Sequence, residues 1–185
     1  MASVRARLAS GNAHKLEELL AALPGWELEL LKTARPYPPE DGATYAENAR
    51  IKAAFGREQA PEAWVLGEDS GIEVAALGGR PGIASARWAE DGVAGLLAEL
   101  EGVDDRRARY VCELVALGPG GEELRGRGTL EGSIATARRG DEGFGYDPIF
   151  VPAGEERTVA ELGDAWKRSN SHRARAAAAL RAALS

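Results

Sequence analysis

Apolar and polar positions divide the chain into alternating strand and helix rhythms. Residues 5–9 predict a short first strand that runs directly into the polar turn Ser10-Gly11-Asn12-Ala13-His14-Lys15. Leu16, Leu19, Leu20 and Leu23 then recur at helical spacing until Pro24-Gly25 stops the helix. Residues 26–31 alternate apolar and acidic side chains, the pattern of a second strand. The proline-stiffened stretch 35–42 cannot be helix, and Glu40 and Asp41 stand at its end. A helix is expected over 44–57, where Ala46, Ala49, Ala53 and Ala54 imply close packing and Asn48 and Lys52 share a face. The apolar run Trp64-Val65-Leu66 ends abruptly in Gly67-Glu68-Asp69-Ser70-Gly71, which predicts a buried strand emerging at the rim of a sheet. Beyond it follow residues 72–77, a tight loop at 78–82 and a helix over about 93–100. Residues 110–117 and 122–134 predict a long antiparallel hairpin around Gly118-Pro119-Gly120-Gly121, and Ala174, Ala177, Leu180 and Leu184 a C-terminal helix.

Composition narrows what these elements can do. At 185 residues, 44% hydrophobic and 28% charged, the chain is expected to form a single domain, 1–185, with a substantial core. A net charge of −6 argues against nonspecific nucleic-acid binding, while leaving room for a small polyanion met by local basic groups. The lone Cys112 lies in an apolar run and reads as a buried small hydrophobe in a reducing compartment. No apolar stretch reaches membrane-span length, and Met1-Ala2-Ser3-Val4-Arg5 lacks a signal-peptide core, so the expectation is a cytoplasmic protein with no membrane partner.

Several stretches carry possible chemistry, each with a plainer alternative. Glu68, Asp69 and Ser70 either face a cleft beyond the end of a strand, where α/β sheets bind ligands, or form a solvated turn. Adjacent carboxylates repel, which favours a site where a cation compensates them. Asn12 can cap the first helix, and Lys15 in its first turn makes either a phosphate site or an ordinary strand-to-helix turn. The G-x-x-x-x-G-K-[ST] phosphate loop is absent. In Gly143-Phe144-Gly145-Tyr146-Asp147-Pro148, an aromatic ring held between glycines can stack on a planar base or serve as a hydrophobic staple. Lys167 precedes Ser169-Asn170-Ser171, and the polar start of the last helix presents His172 and Arg173 near its N-cap.

In order along the chain, Ser10-Gly11-Asn12-x-x-Lys15, Glu47-Asn48-Ala49-x-x-Lys52-Ala53, Asp69-Ser70-Gly71, Gly78-Gly79-x-Pro81-Gly82-x-x-Ser85-Ala86-Arg87, Phe144-Gly145-Tyr146-Asp147-Pro148-Ile149-Phe150 and Ser171-His172-Arg173 resemble the inosine triphosphate pyrophosphatase (HAM1-like) family. Ile72, where leucine is common, is a conservative departure. The resemblance implies hydrolysis of XTP, dITP or ITP to the monophosphate and pyrophosphate, with Mg²⁺, by a homodimer. It implies an α/β fold with a long, bent mixed sheet flanked by helices and two lobes around a central nucleotide-binding cleft. On this resemblance Asp69 is the general base for a water attacking the α-phosphorus and, with Glu40, a metal ligand. Glu68 and Lys52 support that site. Ser10, Gly11, Asn12, Ala13, His14, Lys15 and Ser70 hold the triphosphate. Phe144 stacks on the base, Gly145, Tyr146 and Asp147 line its pocket, and Lys167, His172 and Arg173 contact its edge. The residues alone leave two other readings open: a nucleotide sensor that has lost turnover, and a pyrophosphatase of modified pyrimidine or general deoxynucleotides. The intact acids Glu40, Glu68 and Asp69 count against the sensor, and the His172-Arg173 end favours purines.

Overall fold

The structure is a computed structural model that describes residues 4–184. The expectation that the chain starts without a signal peptide falls partly on Met1-Ala2-Ser3, outside the described residues. The elements run β1 (Val4–Leu8), α1 (Ala13–Ala22), β2 (Trp26–Leu30), α2 (Tyr45–Gln59) and β3 (Trp64–Val74). After two short 3₁₀ turns come α3 (Gly92–Glu99), β4 (Arg107–Leu117), β5 (Glu123–Ile134), β6 (Phe150–Pro152), α4 (Val159–Asn170) and α5 (His172–Ala183). The six strands form one sheet in the order β2-β1-β3-β4-β5-β6. It is mixed, because β1 is parallel to both β2 and β3 whereas β5 and β6 are antiparallel.

Most expected elements are present with small shifts at their ends. Asn12 caps α1 by accepting from the backbone N–H groups of His14 and Lys15, and Thr44 caps α2 by accepting from Glu47 N. The turn at Gly118–Glu122 joins β4 to β5 as the hairpin pattern requires, closed by a 2.8 Å bond from Gly118 N to Glu122 O. One expectation is corrected. β3 does not end at Gly67 but continues through the acids to Val74, so Glu68 and Asp69 lie inside a strand, not in a rim or a solvated turn. The glycine marks a close approach to a helix. A Cβ at Gly67 would lie 1.8 Å from the backbone oxygen of Ala49 on α2.

The chain divides into two compact units. The first contains the described residues up to Asp69, Cys112–Gly128 and those from Arg173 onward. Its core joins Ala6 and Leu8 of β1, Leu19 and Leu23, Leu66, Leu114, and Ala176, Ala177 and Leu180 of α5. There α5 sits against β5 at Gly126, where a Cβ would come within 2.2 Å of Ala176 O. The second unit, Ser70–Val111 with Thr129–His172, has its own core of Ile72, Val74, Leu96, Leu100, Tyr110, Tyr146, Ile149 and Phe150. Among the described residues, no helix is long and apolar enough to cross a membrane.

Candidate functional site

Strand alternation sorts the acids of the first unit. Side chains of successive strand residues point to opposite faces, so Gly67 and Asp69 face α2 while Glu68 faces α1 and α5. The two carboxylates therefore do not crowd each other, contrary to the expectation that both face one cleft. The small residues Ala49 and Ala53 bring α2 close enough for its longer side chains to reach the strand.

Asp69 is 4% exposed and receives two donors from α2. Asn48 Nδ2 lies 3.2 Å from Oδ2 and Lys52 Nζ 3.1 Å from Oδ1. Asn48, wholly buried, also accepts at Oδ1 from Gly42 N at 2.9 Å, and so fastens the proline-rich loop to the strand. That loop delivers Glu40, whose Oε1 is 2.8 Å from the same Lys52 Nζ. Lys52 donates as well to the main-chain oxygen of Glu68 at 3.0 Å. Burial pushes the Asp69 carboxyl above its ordinary value, with Lys52 and Asn48 pulling partly back. Burial alone would lower Lys52, but Asp69, Glu40 and Glu68 hold it above the usual lysine value. Glu47 turns away to accept from Ala43 N, the capping role of an acid in a first helical turn.

Glu68 has no exposed surface and is held by two cations. Arg173 Nε and Nη2 approach its Oε1 at 3.1 and 3.0 Å, and Lys15 Nζ its Oε2 at 2.6 Å. Arg173 Nη1 reaches Glu18 Oε2 at 2.9 Å. Burial would raise the Glu68 carboxyl, yet Lys15 and Arg173 keep it well below the ordinary carboxylate value. Cys112 Sγ stands 3.6 Å from Glu68 Oε1, and burial followed by that negative charge pushes its thiol well up. Arg173, expected beside Lys167 and His172 at a base edge, is instead 1% exposed inside this ion-pair chain. Successive helical residues project about 100° apart, so its neighbour His172 takes a different direction. Ser10 and Lys15 are half-buried, and Gly11, Ala13 and His14 exposed, at the start of α1. Ser70 is half-buried within β3.

A second set of polar groups belongs to the second unit. Asp147, 2% exposed, accepts at Oδ2 from Lys167 Nζ at 2.6 Å and from Phe144 N at 2.8 Å. Its Oδ1 accepts from the Tyr110 hydroxyl at 3.1 Å. Lys167 Nζ also lies 3.8 Å from the centroid of the Phe144 ring, so one face of that half-buried ring is already engaged. His172 stacks on Tyr110 with centroids 4.5 Å apart and planes 10° from parallel. Tyr146 points into the core instead of lining an open pocket, its hydroxyl donating to Ser85 O at 2.8 Å. Gly145 is exposed, with a φ of 62° that its neighbouring turn requires.

Asn48, Glu18 and Tyr110 were not singled out as site residues from sequence. Asn48 was detectable from its four-residue spacing to Lys52, and Glu18 from its place one turn beyond Lys15. Tyr110 gave no signal, because an aromatic inside an apolar strand reads as core.

The donor set is compatible with a hard divalent cation. Glu40 and Asp69 bring two carboxylate oxygens to one point, now shared by an ammonium. Magnesium is commonly held by one or two carboxylates, with waters and substrate phosphates completing its shell. Among the described residues no group of three or more His, Cys, Asp or Glu side chains could hold a metal by itself.

Comparisons with known proteins agree with this architecture. A family model described as the Ham1 family matches residues 6–183. A dITP/XTP pyrophosphatase of Mycobacterium tuberculosis is 46% identical over 191 residues, covering 96% of this chain and 93% of its own. One of Bdellovibrio bacteriovorus is 42% identical over 182 residues, covering 91% and 92%. The structure of a HAM1 protein from Coxiella burnetii superposes with a TM-score of 0.85 at 36% identity, covering 98% of each chain. In motif order, sheet architecture and near-complete coverage alike, this chain belongs to the Ham1 family.

Proposed function

We propose that this chain hydrolyses noncanonical purine nucleoside triphosphates (dITP, XTP and ITP) to the monophosphate and pyrophosphate, removing them before they enter DNA or RNA. The names of its relatives support the reaction. The observation that carries the chemistry is the buried Asp69 carboxylate, raised by burial and aimed by Asn48 and Lys52.

In this reading Asp69 accepts the proton of the water that attacks the α-phosphorus. A carboxyl raised by burial holds that proton better than an exposed one, the property a general base needs near neutral pH. Asn48 fixes the carboxylate plane, and Lys52 places positive charge beside it. Mg²⁺, held by Glu40 and Asp69, supplies neutralisation of the polyphosphate charge when bound. Lys15 and the turn 10–14 receive the remaining phosphate oxygens, with Arg173 and Glu68 setting the position of Lys15. Phosphoryl transfer needs positioning and charge stabilisation more than covalent chemistry, so no nucleophilic side chain is required.

The second unit supplies base recognition. Phe144 supplies the aromatic ring for stacking, and Lys167 and His172 provide donors to a 6-oxo group. Adenine presents an amino donor at that position, and a site built for an acceptor discriminates against it by roughly 10⁴-fold. Magnesium dependence and a homodimeric assembly complete the proposal and rest on the family resemblance; a cytoplasmic location rests on the lone Cys112, read as the thiol of a reducing compartment.

The test is Asp69→Asn, assayed for turnover and for equilibrium binding of dITP. Turnover falls by more than ~10²-fold while binding persists. Unchanged turnover removes Asp69 as the base.

A further inference from the structure

The base-recognition groups of the second unit are joined through one residue that the motifs do not mark. Lys167 and Phe144 N both act on Asp147 Oδ2, so the carboxylate could pivot about that oxygen if the other were untied. Tyr110 ties it, donating its hydroxyl to Oδ1 at 3.1 Å. The same residue stacks its ring on the His172 imidazole at 4.5 Å, and packs against Phe150 in the core at 4.5 Å. It is 6% exposed on β4 and so is held by a rigid element.

We propose that Tyr110 is a positioning residue for base selection: its hydroxyl fixes the Asp147–Lys167 pair and its ring fixes the plane of His172. The inference rests on the proposed function, in which Lys167 and His172 meet the 6-position of the base. A lysine ammonium is a point charge on a flexible four-carbon stem. It rejects a 6-amino group only if it cannot swing away, and here contacts with Asp147 and with the Phe144 ring hold it. The first of these is only as fixed as the Asp147 carboxylate, which Tyr110 orients. Hydrogen bonds to a charged acceptor are the stronger kind, so losing this one is felt by the ion pair.

The experiment uses the full chain with Mg²⁺ and compares wild type with Tyr110→Phe, which removes the hydroxyl and keeps the ring. kcat and KM are measured for dITP and dATP, together with inhibition by tripolyphosphate, which carries no base. The dITP-over-dATP preference in kcat/KM falls about tenfold, mainly through a lower KM for dATP. Inhibition by tripolyphosphate does not change. In an Asp147→Asn background the same substitution adds less than about twofold, because Tyr110 acts through Asp147. If Tyr110→Phe does not fold, Tyr110→His replaces it. Its imidazole retains a flat ring but stops short of Asp147, so the preference must fall there too. An unchanged preference in the folded variant, additive effects with Asp147→Asn, or an equal weakening of tripolyphosphate inhibition overturns the inference. A wild-type enzyme with no preference for dITP over dATP overturns the proposed function itself, and this inference with it, before any substitution is made.

Discussion

Gly67→Ala tests how the fold builds the acid site, because the affected atoms are backbone and cannot rotate aside. A Cβ there would meet Ala49 O at 1.8 Å, Ala53 N at 2.7 Å and Ala49 C at 2.9 Å. Restoring ordinary van der Waals separation from the oxygen requires α2 to retreat by about 1.5 Å. That helix carries Asn48 and Lys52, whose bonds to Asp69 are 3.2 and 3.1 Å long. A shift of that size carries both beyond hydrogen-bond distance. Overpacking of this kind costs about 1–3 kcal/mol, and misplacement by ~1 Å costs about 10²-fold in rate. The assay pairs urea unfolding with steady-state hydrolysis of dITP at a temperature where the variant remains folded. The reasoning predicts a fall in stability of at least ~1 kcal/mol and a loss of activity of at least ~10²-fold in the folded fraction. A variant with wild-type stability and rate would refute the claim that contact between α2 and β3 at Gly67 sets the site.

Two further outcomes follow from the ion-pair chain. Because Glu68 is held below its ordinary value in the folded protein, its contribution to stability is complete above about pH 4.5 and is lost as pH falls through the lowered value. Glu68→Gln therefore flattens the acid loss of stability seen in urea titrations. At pH 7 it costs about 3 kcal/mol, since the buried Arg173 loses the charge of a carboxylate paired with it; an unchanged acid limb would contradict the assignment. Cys112 is wholly buried with its thiol pushed well up, so alkylation at pH 8 is negligible in the native protein and complete in denaturant. Rapid native labelling would show that its surroundings open.

The order of elements was legible because helical and strand periodicities are local properties of the chain. The βα turn at Asn12, the cap at Thr44 and the hairpin at Gly118–Glu122 all follow from residues close in sequence. The reach of β3 through its acids was not legible. Glycine, two carboxylates and serine are turn-like by composition, and only packing against Ala49 and Ala53 shows why they continue a strand. Arg173 misled for a related reason. Its adjacency to His172 suggested a shared task, whereas its partners Glu68 and Glu18 lie 105 and 155 positions away in sequence. Tyr110 gains its polar role from a partner 37 residues distant.

The most direct test of the account is product analysis of the purified protein with dITP, XTP, dGTP and ATP, each with and without Mg²⁺. The account predicts pyrophosphate and monophosphate from dITP and XTP alone, and only when Mg²⁺ is present. Orthophosphate and diphosphate would mean that a different phosphorus is attacked and would remove Asp69 from its assigned place. Tight nucleotide binding without any product would contradict hydrolysis altogether.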